Sequence, residues 1–212
     1  LSNFLDKEKK YFYSSQDADE EYAKLSLNER KKIKQPHIDK TLFADFNCYA
    51  INAFYTAAEI LNDKKYGEIA TKALDFLIKN LINKDGVMHF YDNKSHEPYL
   101  LKNHLLLMSS LIEADNIKLA EDLLNKIIFN FSDKEGNLLD IKQTKDNFGY
   151  LSIPRIDQEE NSLAIKINLR LYEKTKNKKY LELANKLIEN VKSYINPESI
   201  FSASFAEILF KL

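Results

Sequence analysis

The chain has 212 residues, 44% of them hydrophobic and 30% charged, with 31 Lys and Arg against 32 Asp and Glu for a net charge of −1. This composition belongs to a folded globular protein. The charge balance lacks the basic excess of a nucleic-acid binder, and no run of about 18 apolar residues is present to cross a membrane, so neither partner is expected. A single cysteine, Cys48, excludes an internal disulfide and points to a reducing, cytoplasmic setting. Only four Gly and four Pro occur, against averages of about 7% and 5%, which argues against sandwiches, barrels and Gly-rich nucleotide loops.

In chain order, the first signal is a turn, Asp6-Lys7-Glu8-Lys9, followed by an extended aromatic run, Tyr11-Phe12-Tyr13. The basic run Arg30-Lys31-Lys32-Ile33-Lys34 reads as a solvated face. From Phe46 the apolar positions Tyr49, Ala50, Ala53, Phe54, Ala57, Ala58 and Leu61 step by three and four, predicting a helix over 45–61. A second stripe, Tyr66, Ile69, Ala70, Ala73, Leu74, Leu77, Ile78 and Leu81, predicts an amphipathic helix over 64–82. The turn Asn83-Lys84-Asp85-Gly86 and the extended run Val87-Met88-His89-Phe90-Tyr91 follow. Residues 100–114 are apolar on nearly every side, as in a helix buried all round. An amphipathic helix is predicted over 117–131, then the turn Asp133-Lys134-Glu135-Gly136 and the run Asn137-Leu138-Leu139-Asp140-Ile141. A greasy helix over 160–174, an amphipathic one over 178–194 and an apolar segment from Ile200 to Leu209 complete the chain.

This is a repeat. Asp63-Lys64-Lys65-Tyr66-Gly67-Glu68-Ile69-Ala70 matches Asn177-Lys178-Lys179-Tyr180-Leu181-Glu182-Leu183-Ala184, and the turn with its extended run occurs three times. The unit is an inner helix, a turn, an outer helix and a strand-like crossing. Units of this kind stack as a solenoid or bend into an α/α toroid. The expected fold is all-α: a partial α/α toroid of antiparallel helical hairpins with short β-hairpins between units. Because the pattern opens where an outer helix should be ending, an outer helix is expected upstream of Leu1.

Several ordered strings carry a family resemblance. Tyr13-Ser14-Ser15-Gln16-Asp17-Ala18-Asp19 follows an aromatic strand, then come Arg30, Pro36, Ile38-Asp39-Lys40-Thr41-Leu42-Phe43-Ala44-Asp45-Phe46-Asn47 and Glu160-Asn161-Ser162. This resembles the C-terminal part of the thioredoxin-domain-containing proteins of the bacterial YyaL and mammalian spermatogenesis-associated type, with F-Y-S-A-x-D-A-D, D-D-K-x-L-x-x-W-N and G-N-S in that order. The resemblance implies a six-hairpin glycosidase-like toroid, similar to N-acylglucosamine and cellobiose 2-epimerases, behind a thioredoxin-like domain. No C-x-x-C occurs here, so residues 1–212 are expected to form one incomplete toroid domain, with the redox domain and upstream hairpins outside it. The family's F-L-D-D-Y-A at an inner-helix start reads Leu100-Leu101-Lys102-Asn103-His104-Leu105. The role of that acidic pair therefore does not carry over. Phe46 stands where the family has Trp.

Polar residues gather before the inner helices, where free amides and the helix dipole attract oxygen-rich ligands. Candidate catalytic residues are Asp17, Asp19, Asp45, Glu160 and His89, since paired carboxylates or a near-neutral histidine suit acid–base chemistry on a sugar. Candidate substrate-binding residues are Tyr13, Asn47, Asn103, His104 and Asn161. Asp and Asn before a helix also serve as caps, so that role stands beside the functional one. The four histidines, His37, His89, His96 and His104, show no metal-ligand spacing, and no metal or cofactor is expected. Cys48 reads as a small buried thiol. The 12 tyrosines and 13 phenylalanines could supply core or faces for stacking on sugar rings. Two functions remain open. One is a fragment of a carbohydrate-active toroid, epimerase-like or glycosidase-like, taking a sugar or another small polar ligand. The other is a non-catalytic helical scaffold that pairs with a second copy or with a chain complementing its fold.

Overall fold

A computed structural model of the chain describes residues 4–6, 8, 10–196 and 198–211. A two-stranded antiparallel pair, β1 (Ser15–Gln16) and β2 (Ile38–Asp39), brackets two short helices, α1 (Glu20–Lys24) and α2 (Leu27–Arg30). Strand β3 (Leu42–Phe43) runs into α3 (Ala44–Ile60), and α4 (Lys64–Leu81) returns beside it. Strands β4 (Phe90–Tyr91) and β5 (Ser95–His96) complete a three-stranded sheet in the order β3-β4-β5, with Phe43 opposite Phe90 and Phe90 opposite His96. The hairpins α5 (Leu101–Glu113) with α6 (Ile117–Phe131) and α7 (Gln158–Thr175) with α8 (Lys178–Lys192) follow, then α9 (Ala203–Lys211). The helix boundaries lie within two residues of the sequence expectation, except that α9 is preceded by a short 3-10 turn at Ile200–Ser202.

The helices form two layers. Inner helices α3, α5, α7 and α9 pack side by side in that order, and each of the first three packs against its own outer helix, α4, α6 or α8. This is an arc of an α/α toroid. The sequence stripes explain the layering. Outer helices bury one face, such as Ala120, Leu123, Leu124, Ile127 and Phe131 on α6. Helix α5 is sandwiched and buries Leu105, Leu106, Leu107, Met108, Leu111 and Ile112 around its circumference. A polar lane crosses the inner layer at one level. Asn52 meets Ser109, Ser109 meets Arg170, and Lys166 meets Ser204.

The three hairpin turns share one device. A residue in the left-handed region, Asn62, Asp115 or Lys176, ends the inner helix, and the next side chain, Asp63, Asn116 or Asn177, caps the outer one. The expected crossings are present too, pinned by the bridges Leu5–Phe12, Ile82–Val87 and Ser132–Leu138. The turns before the second and third crossings are closed by a side chain. Asn83 Oδ1 accepts from the Asp85 and Gly86 amides, and Asp133 Oδ1 accepts from those of Gly136 and Asn137.

Candidate functional site

The crossings bring the inner-helix N-termini to one end of the molecule. The Ala44 amide donates to the His89 carbonyl at 2.9 Å and the Leu101 amide to the Asp140 carbonyl at 2.8 Å, so α3 and α5 each rest their first residue on the next crossing. One turn into α3, α5 and α7 a side chain clamps the crossing that precedes the helix. Asn47 Oδ1 accepts the Phe12 amide at 2.8 Å, while its Nδ2 donates to the carbonyls of Phe12 and Phe43. Asn161 does the same with Leu138 and Asp157. His104 takes this place in the middle unit. Its Nε2 accepts the Val87 amide at 2.9 Å and its Nδ1 donates to the Leu100 carbonyl at 2.7 Å. Gly86 is required here, because a Cβ at its φ of +146° would stand 2.2 Å from His104 Nε2.

Asn47, His104 and Asn161, expected as ligand contacts, are thus fully buried and spent on backbone. Burial drives the His104 pKa down from 6.5 to about 4, leaving the ring neutral. The clamps stand 57 residues apart, from 47 to 104 and from 104 to 161. That period is visible in the sequence.

The residue before each clamp points to the rim's chemistry: Phe46, Asn103 and Glu160 are equivalent positions. Asn103 is fully buried; its Nδ2 lies 3.2 Å from His89 Nδ1, and its Oδ1 is buried without a hydrogen-bond partner. With the amide donating to Nδ1, the imidazole proton sits on Nε2. Burial holds the half-buried His89 below the usual histidine pKa, although the Asp45 charge and the Asn103 bond pull it back. Glu160 is pushed from 4.5 to about 8, first by burial and then by the Asp157 and Asp140 carboxylates, with Lys102 opposing. Its Oε2 is also buried and unpartnered. At neutral pH the rim therefore holds a protonated carboxyl and a neutral imidazole.

Beside these groups stand exposed rings. Phe46 is 57% exposed and packs tilted against Phe43, which also meets the His89 ring edge-on at 5.4 Å. The Lys102 ammonium lies over the Tyr49 ring. Asp45 is half-buried and accepts the Phe46 amide. Lys102, one of the polar residues before α5 but not a candidate site residue, joins this group, as does Asp140, which residue type had not marked. Asp140 comes to the rim because its carboxylate closes the 142–157 loop by accepting the Arg155 amide at 2.8 Å.

The remaining candidates lie apart. Asp19 caps α1 by accepting from the Tyr22 amide, and Asp17 accepts from the Ser15 hydroxyl. Both line a surface cleft of about 590 Å³ with Tyr22 and His37. Tyr13 Oη donates to Asp6. Among the described residues, no hydrogen bond or ion pair joins Asp17, Asp19 or Tyr13 to His89, Asn103 or Glu160. An apolar cleft of about 390 Å³ between α7, α8 and α9 has cations already paired, Lys166 with Glu207 and Arg170 with Glu113. The Cys48 thiol is buried and pushed up to about 12, which makes it inert. Among the described residues, no group of His, Cys, Asp and Glu is arranged to hold a metal ion, and no helix is long and apolar enough to cross a membrane.

No protein-family model matches the chain, and no curated protein is similar to it in sequence. Solved structures are similar to it in fold. A cellobiose 2-epimerase from Bacillus thermoamylovorans superposes with a TM-score of 0.68 at 15% identity over 89% of this chain and 50% of that one. An unsaturated glucuronyl hydrolase specific for heparin gives 0.61 at 14% over 90% and 52%. A GH76 α-mannanase of Bacteroides thetaiotaomicron gives 0.58 at 20% over 74% and 44%. The chain spans about half the length of the solved structures it matches. The shared fold is that of the six-hairpin glycosidase-like α/α toroids.

Proposed function

We propose that the chain is a fragment of a carbohydrate-active toroid domain, epimerase-like or glycosidase-like, with its site at the N-terminal rim of α3, α5 and α7. The observation that carries the reading is the start of α5, where Asn103 Nδ2 lies 3.2 Å from His89 Nδ1 and the neighbouring Lys102 acts on Glu160, a buried carboxyl held above the usual carboxylate range. Glu160 serves as proton donor to a sugar oxygen. His89 offers Nε2–H to a second oxygen, and Asp45 is the carboxylate whose charge acts on His89. Exposed Phe46 gives a ring for the apolar face of a sugar. Asn103 positions His89 through its side-chain amide. The epimerase and hydrolases of similar fold act on sugars by their names, which supports the substrate class. The ordered motifs from Tyr13 to Asn47 support the further reading that the parent protein is of the YyaL type.

Titration of the isotopically labelled protein with cellobiose and mannose, followed by NMR, tests the site, with shifts expected at Asp45, His89, Asn103 and Glu160. Turnover is read as solvent deuterium entering the sugar for an epimerase, or as released reducing ends for a glycosidase. Glu160→Gln and His89→Ala should each lower it by about 100-fold or more. Sugars that leave these four residues unperturbed would sink the reading.

A second reading, a scaffold that pairs with another chain, rests on a different observation. Phe46, Tyr49 and Ala53 form an exposed stripe on α3, whereas their equivalents on α5, Asn103, Leu106 and Ser110, are buried.

A further inference from the structure

Residues 142–157 carry the chain from the third crossing into α7, so this loop stands at the same end of the molecule as the starts of α3 and α5. Its ends are tied together. The Asp140 amide donates to the Arg155 carbonyl at 2.8 Å, and the Asp140 carboxylate accepts the Arg155 amide. Its interior is tied by Asn147, whose Oδ1 accepts the Thr144 hydroxyl at 2.7 Å and whose Nδ2 donates to the carbonyls of Lys142 and Leu151. A 3-10 turn, Gly149–Ser152, forms the tip. The loop is thus held in shape by its own polar groups, while its rings are left in solvent. Phe148 is 80% exposed and Tyr150 83%, and the Arg155 guanidinium lies 5.8 Å from the centre of the Tyr150 ring. Compact loops closed in this way are frequently functional, and rings on a braced tip lose little freedom on meeting a ligand.

We propose that the tip of the 142–157 loop is a second sugar-stacking subsite, and that the ligand of the rim is an oligosaccharide rather than a single sugar. This rests on the carbohydrate reading above and names its substrate class. The exposed Phe46 ring lies at the start of α3 and the loop at the start of α7, with α5 between them. Neighbouring helices pack about 8–10 Å apart, so the two sets of rings stand roughly 16–20 Å apart. Bonds of about 1.5 Å make one hexose only about 5 Å across. A single sugar therefore meets one set, and a chain of about three or four residues meets both. Both sets present open ring faces, which suit the apolar face of a sugar, and Arg155 beside Tyr150 offers donors to its hydroxyls. A protein partner fits less well, because a stable interface buries about 800 Å² on each side, far more than the tip of one loop presents.

Calorimetry and NMR with two series, cellobiose to cellopentaose and mannobiose to mannopentaose, test the subsite. Within the series that binds, affinity should rise by about three- to tenfold with each added residue until both sets of rings are covered. Ring shifts at Phe148 and Tyr150 should appear only with the longer members. Phe148→Ala combined with Tyr150→Ala should remove that gain while circular dichroism stays that of the wild type. Cellobiose shifting Asp45, His89, Asn103 and Glu160 with no gain for longer chains would overturn the subsite and leave the carbohydrate reading intact. A double variant that alters sedimentation but not sugar affinity would make the tip a protein contact, and the proposal fails. If no member of either series binds, the carbohydrate reading falls and the subsite with it.

Discussion

Glu160 couples the chemistry of the rim to the stability of the fold. Unfolded, its carboxyl titrates near 4.5; folded, near 8. Between those values the native state holds a proton that the unfolded state has released, so stability is lost as pH rises through that window. His104 works the other way. Its native pKa of about 4 lies below the ordinary 6.5, so its contribution is present above 6.5 and is lost as pH falls toward 4. The two slopes oppose one another from 4.5 to 6.5, and above 6.5 the Glu160 slope is left. Glu160→Gln should therefore match the wild type near pH 4.5 and exceed it at pH 8 and above, by on the order of 1–3 kcal/mol. Urea unfolding at the two pH values measures this, and equal stabilities at pH 8 would count against a buried, proton-holding carboxyl. Residue type alone made Glu160 a candidate, on its place before a helix. Its altered acidity comes first from burial and then from Asp157 and Asp140; the burial and the approach of Asp140 exist only in the folded chain.

At the scale of elements, each of α3, α5 and α7 is fastened to the crossing before it by one side chain. Asn161→Ala would strand the Leu138 amide and carbonyl, groups that water reaches poorly. We expect a loss of about 2–4 kcal/mol. Asn177→Ala, which removes an exposed cap on α8, should cost only about 1 kcal/mol. Chemical denaturation of the two variants tests the ranking, and equal costs would mean that the clamp contributes no more than a cap. The helices themselves were legible, because three- and four-residue spacing marks a buried face whatever lies against it. The crossings were legible from their turn residues. The clamps were read as ligand contacts, since an Asn near a helix start looks the same whether it meets a sugar or a neighbouring backbone. Their 57-residue period distinguishes a structural role, repeated in each unit, from a binding role confined to one place.

At the scale of the molecule, the inner layer has two ends. Helix α5 lies between α3 and α7, and α7 between α5 and α9. The stripe on α3, Phe46, Tyr49 and Ala53, continues to Ile60, which is 75% exposed, and α9 exposes Leu209 and Phe210. Burying one such large side chain is worth about 1.5–3 kcal/mol, so covering either edge would stabilise the arc appreciably. We expect the chain to associate through the α3 stripe, and Ala53→Glu with Ile60→Lys to abolish that association without loss of helix content. Sedimentation across a wide dilution series tests this. A monomer at every concentration, wild type and variant alike, would show that the stripe needs no cover.

The sequence by itself determined the order of helices, the alternation of sandwiched and one-faced helices, the capped turns and the three-fold recurrence of the crossings. Each of these is written in local spacing, where hydrophobic period and turn chemistry act over a few residues. Tertiary structure alone decided which polar residues share a site. His89 and Asn103 meet because a crossing is laid against the next inner helix, and Asp140 reaches Glu160 by the same construction one unit on. It also decided that Asn47, His104 and Asn161 turn inward to backbone while Asn103 and Glu160, one of them adjacent to each of two clamps, keep a buried oxygen without a partner. A step of one residue on a helix turns a side chain by about 100°, so the choice between fastening the fold and facing a ligand depends on what the neighbouring unit places there.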